Sequence, residues 1–293
     1  LTRWQKIRFD PRVRFAALTV PGAVFVILFL LAPLFSIIVF SFWRTESYEL
    51  IADWNLDNYK TVLGDWIYLK FIFRSLAMAG AVSFVCLLYA WPCAYLIAKH
   101  GGRYRLVLVL LTAAPFLTGI LLRVTAMQQI LGPIGLINMG LTTFGFAPIE
   151  AIMYTNLASA IGLIYLWIPF MLLAVYLSLL NFNFELLEVA KVCGAKPWRA
   201  FLAVTWPLNW MGTAIGIILV FIPTFAASVT PRFLGGPNGA LFANRLEHQF
   251  GATGTWALGS AMGVIMFGVS LLLIGVIWST INLRRAGFTG SEG

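Results

Sequence analysis

Charged residues leave six long gaps in this chain, and those gaps decide what it can fold into. Phe15 to Trp43 carries no Asp, Glu, Lys or Arg over 29 residues, Ser75 to Ala98 over 24, and Leu106 to Leu122 over 17. Ala151 to Phe184 is free over 34, Ala200 to Pro231 over 32, and His248 to Leu283 over 36. About 20 apolar residues at 1.5 Å rise cross about 30 Å of hydrocarbon. Each gap therefore supports one crossing, and none is long enough for two helices and a turn. The short third gap extends through Val124 to Ile130 if Arg123 faces protein or water. Lipid admits only helices or closed barrels, and these runs lack strand-like alternation. The expectation is an all-α, polytopic membrane protein with six transmembrane helices over residues 15–283.

Composition narrows the class further. The chain is 60% hydrophobic and 11% charged, against about 25% charged residues in an average soluble domain. Disorder, a soluble enzyme and a nucleic-acid-binding domain are excluded as leading readings, and the expected surroundings are a lipid bilayer. The formal net charge of +9 is what a membrane protein shows when Lys and Arg collect on its cytoplasmic side. Cys86, Cys93 and Cys193 form no CxxC pair and no ligand set with His100 and His248, so neither a disulfide framework nor a metal site is expected. The basic stretch LTRWQKIRFDPRVRF runs into an apolar segment too long for a signal-peptide core, which predicts an uncleaved first span.

The charges also predict orientation. With the N-terminus inside, residues 1–14, 99–105, 185–199 and 284–293 are cytoplasmic and hold 13 Lys and Arg against four acids. The outer segments hold seven of each sign. The positive-inside rule therefore predicts N-in, C-in. Val124 to Ile149 is also charge-free, but Gly132, Pro133, Gly135, Gly140, Gly145 and Pro148 interrupt it. Such breakers predict a loop with short helical pieces rather than a seventh span. Pro21, Pro33, Pro92, Pro115, Pro169 and Pro223 fall inside the spans, where each removes a helical hydrogen bond and favours a kink. Ordinary membrane-helix tolerance and broken helices lining a cavity both account for them.

The segment between the fourth and fifth spans is FELLEVAKVCGAKPWRAFLAVTWPL, Phe184 to Leu208. Leu186, Val189 or Ala190, and Cys193 fall at helical spacing on one face, with Glu185 and Glu188 on another. Gly194 suits the C′ position that ends a helix, and Pro197 suits the first turn of the next. This predicts a helix, a sharp turn and a second helix over 185–207, built to dock a soluble partner. A plain interfacial helix is the competing reading.

The loop resembles the EAA motif of ABC importer permeases. That motif is Glu-x-Ala, three residues, Gly, nine residues, a small apolar residue, two more, then Pro. Glu188, Ala190, Gly194, Val204 and Pro207 meet it, with Val189, Val204 and Trp206 as apolar departures. PCAYLIAK, PFLTGILLR, YLWIPFMLLAVYLSL and TPRFLGGPNG resemble strings of the spermidine/putrescine-type permeases. The resemblance implies a type I importer permease fold and a multi-pass protein of the bacterial cytoplasmic (inner) membrane. It implies a second permease subunit as heterodimer partner, two cytoplasmic ATP-binding subunits and an extracytoplasmic substrate-binding protein. This chain lacks GxxxxGK[ST], so ATP and Mg belong to the partner ATPase, with no cofactor and no catalysis here. Glu185, Glu188, Ala190, Gly194, Lys196 and Pro207 are the expected coupling residues.

The resemblance further implies a polyamine or a related small amine, zwitterion or organic anion as solute. Phe116, Thr118, Arg123, Trp167, Phe225 and Arg232 are the candidate pathway residues, with Phe170 as a further aromatic. Ala227 and Arg232 stand where the group carries acids. An ion- or proton-coupled secondary transporter is the alternative, but it calls for ionisable residues inside the spans, and the six runs have none. A membrane enzyme would need a catalytic set that two dispersed histidines do not supply.

Overall fold

The computed structural model describes residues 11–149 and 152–289, with side chains over 19–149 and 152–281. The predicted cytoplasmic segments 1–14 and 284–293 lie mostly outside that range, as does the start of the fourth run at Ala151. Among the described residues, five helical segments are long and apolar enough to cross a membrane: Thr19–Phe40, Trp66–His100, Ile120–Thr143, Asn156–Leu180 and Trp256–Ile281. A bent pair, Pro197–Leu208 with Trp210–Phe225, makes a sixth. Two compact units are formed, residues 1–65 with 248–267 and residues 66–247 with 268–293.

In the first unit, α1 (Pro11–Val26) runs through a wide turn at Ile27–Leu31 into α2 (Ala32–Phe40). Phe25, Phe29 and Leu30 along it are exposed, as lipid-facing side chains are. The chain then forms a hairpin of β1 (Arg44–Glu46) and β2 (Glu49–Ile51), antiparallel with Thr45 opposite Leu50. Its two turn residues, Ser47 at φ 50° and Tyr48 at φ 70°, both take the left-handed backbone of a type I′ turn. This short hairpin is an addition to the expected helical architecture, and it has a packing role. Thr45 Oγ1 accepts from the Ala257 N–H at 3.0 Å, satisfying a free donor at the start of the last helix. α3 (Asp57–Gly64) is held by Asn58, whose amide donates to the carbonyls of Ser41 and Trp43 at 3.0 and 2.7 Å.

The second unit is organised around α4 (Trp66–His100). Ser75, Ala79, Val82, Cys86, Ala90, Ala94 and Ala98 recur every three or four residues and are buried. Small residues at that spacing let helix backbones approach closely without a hydrophobic driving force between them. Cys86 is the buried small hydrophobe that its apolar run predicts.

The third run is not one helix. α5 (Arg105–Ala113) passes through a tight turn at Ala114–Leu117, and after an extended Thr118 and Gly119 the chain restarts as α6 (Ile120–Leu131). Pro115 cannot donate a backbone hydrogen bond, and the break falls there. α7 (Leu136–Thr143) follows, a short helical piece as expected of the Gly-rich stretch, but α6 with α7 over Ile120–Thr143, not the third run Leu106–Leu122, is long and apolar enough to cross a membrane. The fourth run is α8 (Asn156–Leu180), continuous through Pro169.

The loop helices α9 (Glu185–Val192) and α10 (Pro197–Ala200) lead into the fifth run. This run is also broken: α11 (Trp206–Leu208) and α12 (Trp210–Phe225) meet at Asn209, where the axis bends by 72°. α4, α8 and α12 pack as the core of the unit, and Trp91 Nε1 donates to Thr213 Oγ1 between α4 and α12 at 3.1 Å. α13 (Gly236–Gly239) and α14 (Phe242–Gly251) follow. The final helix, α15 (Trp256–Thr289), starts eight residues later than the charge-free run beginning at His248. Gly254, at φ +62°, separates α14 from α15.

Candidate functional site

The loop over 185–207 folds as its sequence predicts. α9 stops because Gly194 adopts φ +81°, a left-handed conformation that costs glycine nothing. Its N–H donates to the Lys191 carbonyl at 2.8 Å, and Ala195 N–H to the Ala190 carbonyl at 3.0 Å. These bonds satisfy carbonyls at the helix end. Pro197 then opens α10. Glu185 N–H is accepted by Asn183 Oδ1 at 2.9 Å, which fixes the entry to α9.

The side of α9 buried in the protein is that of Leu187, 6% exposed, not that of Leu186, Val189 and Cys193. Val189, Val192 and Trp198 are 60%, 89% and 66% exposed. The short polar loop thus leaves an apolar face uncovered. Beside it, Lys191 Nζ donates to Glu188 Oε1 at 2.8 Å. That hydrogen bond, then the charge of Lys191, holds the Glu188 carboxyl below its ordinary value, with a smaller pull from Lys99. Lys196 sits at the turn between the two helices, and Pro207 lies in the short helix before the Asn209 bend.

Three of the six predicted pathway residues gather at the break between α5 and α6. Arg123 sits over the Phe116 ring, its guanidinium 4.6 Å from the centroid. Phe116 meets Phe170 edge-on at 4.3 Å, and Phe170 contacts Trp167 at 5.4 Å. α6 and α8 thus bring an arginine and three rings together. Arg123 is 8% exposed, and its Nε has no hydrogen-bond partner among the described residues. Trp167 Nε1 is likewise buried and unpartnered. Two buried N–H donors therefore point at no acceptor beside one fixed positive charge.

Of the other three, Thr118 stands at the same break, and Phe225 and Arg232 lie elsewhere in the chain. Thr118 is exposed and closes its own turn by donating to the Pro115 carbonyl at 2.7 Å. Phe225 is fully buried, its ring stacked 6.3 Å from that of Phe221. Arg232 donates to Glu247 Oε1 at 2.8 Å in an exposed ion pair. Sequence reasoning misses Glu247 because it lies on a different helix, fifteen residues away. It misses Asn209 because a lone Asn in an apolar run carries no spacing signal.

No protein-family model matches the chain. Over 260 residues it is 32% identical to the spermidine/putrescine transport system permease protein PotB of Haemophilus influenzae, covering 88% of this chain and 90% of that one. It is 31% identical to PotB of Escherichia coli over the same length, covering 88% and 94%. The chain belongs to the PotB permease family. A bacterial alginate ABC transporter, solved in complex with an alginate pentasaccharide-bound periplasmic protein, matches with a TM-score of 0.70 at 16% identity, covering 94% of this chain and 96% of that one. The fold is therefore that of ABC importer permeases. The permease is a multi-pass membrane protein and a transport subunit rather than an enzyme, and nothing favours the secondary-transporter alternative.

Proposed function

We propose that this permease is one of two membrane subunits of a polyamine importer in the bacterial cytoplasmic membrane. A second, non-identical permease completes the pathway, an extracytoplasmic binding protein delivers the solute, and two ATP-binding subunits hold ATP and Mg. The observation that carries the solute is the identity to PotB over most of both chains. The Arg232–Glu247 pair supports it, because a neutralised arginine no longer opposes a passing ammonium.

Residues 185–207 dock the ATPase, residues 1–14 and 284–293 lie on the same cytoplasmic side, and 15–283 form the transmembrane body. Glu185, Glu188, Ala190, Gly194, Lys196 and Pro207 are the coupling residues. The φ of +81° at Gly194 and the exposed face of Val189, Val192 and Trp198 support that role. Phe116, Arg123 and Trp167 line the pathway, with Thr118 at its broken turn.

The test is uptake of labelled putrescine and spermidine by the complete importer, with Gly194→Val and Gly194→Asn alongside. A β-branched residue in the left-handed region costs about 1–3 kcal/mol, whereas Asn tolerates it. A Cβ at Gly194 meets nothing within 4 Å, so the backbone alone is perturbed. The Val variant is expected to assemble but lose about tenfold or more of uptake and polyamine-stimulated ATP hydrolysis, with Asn retaining most of both. Unchanged uptake in the Val variant removes the coupling role. Failure of both polyamines to stimulate hydrolysis removes the solute.

A further inference from the structure

Behind α9, on the side opposite its exposed face, lies a cavity of about 500 Å³. Its walls are apolar and aromatic, from Trp91 and Tyr95 of α4, Leu187 of α9, and Pro197 and Phe201 at the start of the fifth run. Trp91 is fixed edge-on to Phe201 at 5.1 Å, and its N–H is already taken by Thr213. The walls are therefore firm, and their aromatic polar groups are partly spoken for. Lys99 and Lys191 line the same cavity; Lys99 Nζ donates to Tyr95 Oη at 3.4 Å, and Lys191 Nζ shares its charge with Glu188 Oε1 at 2.8 Å. One polar side chain in the lining is wholly buried and unsatisfied: Thr205, whose Oγ1 has no partner among the described residues. Such a group is costly unless a ligand or water completes it.

Charge and wall chemistry together select the occupant. The segments 99–105 and 185–199 carry six Lys and Arg against Glu185 and Glu188. A small soluble anion has no use for five apolar walls, and a neutral hydrocarbon has no use for two lysines. Basic pockets between transmembrane helices on the cytoplasmic side bind the headgroups of anionic lipids. We propose that this cavity holds an anionic phospholipid of the cytoplasmic leaflet. Its acyl chain lies along Trp91, Tyr95 and Phe201, its phosphate faces Lys99 and Lys191, and an ester carbonyl accepts from Thr205. Because Leu187 and Lys191 belong to α9, the lipid props the loop from behind. The inference rests on the cytoplasmic placement of that loop given above.

The test uses the assembled importer in nanodiscs without ATP. Phosphatidylglycerol and phosphatidylcholine analogues, each with a photoactivatable group on the acyl chain, are cross-linked and the labelled peptides identified. Labelling is expected in residues 91–99 and 197–205, favouring phosphatidylglycerol. Lys99→Gln should cut that preference by about fivefold, the worth of one lysine at an anionic surface. Ala200→Leu, which fills the cavity from its wall, should suppress labelling by both analogues. Equal labelling by the two lipids in the unmodified protein overturns the proposal, as does a cross-link joining these peptides to the second permease. The readout needs no transport. Lipid labelling that persists while Gly194→Val transports normally keeps the lipid site and removes the coupling role; parity of labelling with coupling intact does the reverse.

Discussion

The permease breaks two of its helices, and it treats the breaks in opposite ways. At Asn209 the residue's own polar groups are all engaged, and nearby Thr205 Oγ1 is left for the cavity behind α9. Asn209 Nδ2 donates to the Thr205 carbonyl at 2.9 Å, its Oδ1 accepts from Ser178 Oγ at 3.0 Å, and its carbonyl accepts from Thr213 Oγ1 at 3.2 Å. At Thr118 and Gly119 only the turn itself is closed, and Arg123 Nε and Trp167 Nε1 remain without acceptors among the described residues. Irregular backbone inside a membrane persists where neighbouring groups satisfy it or where it lines a polar path. The first break meets the first condition and is a fixed elbow between the loop over 185–207 and α12. The second leaves two buried donors unmet among the described residues and is the break proposed above to line the pathway.

If the elbow is structural, emptying it should cost stability before it costs anything else. Asn209→Leu removes both side-chain hydrogen bonds and takes its acceptor from the Ser178 hydroxyl, while the Thr205 carbonyl keeps the backbone N–H of residue 209 at 3.1 Å. Buried groups left unpaired cost about 1–3 kcal/mol each, reduced where a membrane offers other partners. A loss of about 2 kcal/mol is expected in detergent unfolding, with Asn209→Ser recovering part of it. Wild-type unfolding in the Leu variant would erase the distinction between the two breaks.

The contrast also explains which features are legible in the sequence. Span number, the loop's helix–turn–helix and the Gly194 stop can be read because each is a local signal, either a charge-free length or a residue with one backbone use. Gly194 takes its positive φ and α10 starts at Pro197 where their chemistry places them. The third run reads as a single helix because counting charges is blind to a break at Pro115 and Gly119. The hairpin escapes notice because its I′ turn is built on Ser47 and Tyr48, neither of which advertises positive φ. The burial of Phe225 is not legible because an aromatic in an apolar run carries no mark of the side it faces. Asn209 and Glu247 are invisible for a different reason: each acquires its meaning from a partner on another helix.

At the open break the expected effect is on transport rather than on folding. Arg123 has no ion pair among the described residues, and a charge held inside a membrane protein is expensive, which supports the proposed role. Arg123→Met keeps the length and apolar stem while removing the charge. Insertion and unfolding should match wild type or improve slightly. Uptake should fall about tenfold, equivalent to about 1.4 kcal/mol. Arg123→Lys should restore part of it, since a cation can still sit over the Phe116 ring. Normal uptake by the Met variant would reduce Arg123 to a packing residue and make the two breaks equivalent. The comparison then rests on Trp167 alone.

The smallest effect is expected at Arg232, outside both breaks, and it asks whether a charge near the pathway matters when it is already paired. Its side chain and that of Glu247 are 67% and 49% exposed, and exposed ion pairs contribute roughly 0–1 kcal/mol. Arg232→Glu places two carboxylates where one neutralised pair stood. Stability should drop by less than about 1 kcal/mol, and polyamine uptake should change by less than about threefold, because a passing ammonium tolerates an added acid. The double reversal, Arg232→Glu with Glu247→Arg, restores the pair in the opposite sense and should return both measurements to wild type. If Arg232→Glu instead abolishes uptake and the double reversal does not rescue it, Arg232 meets the solute directly as a cation. A solute that needs a cation there carries negative charge, so that result would overturn the polyamine reading while leaving the Arg123 comparison standing.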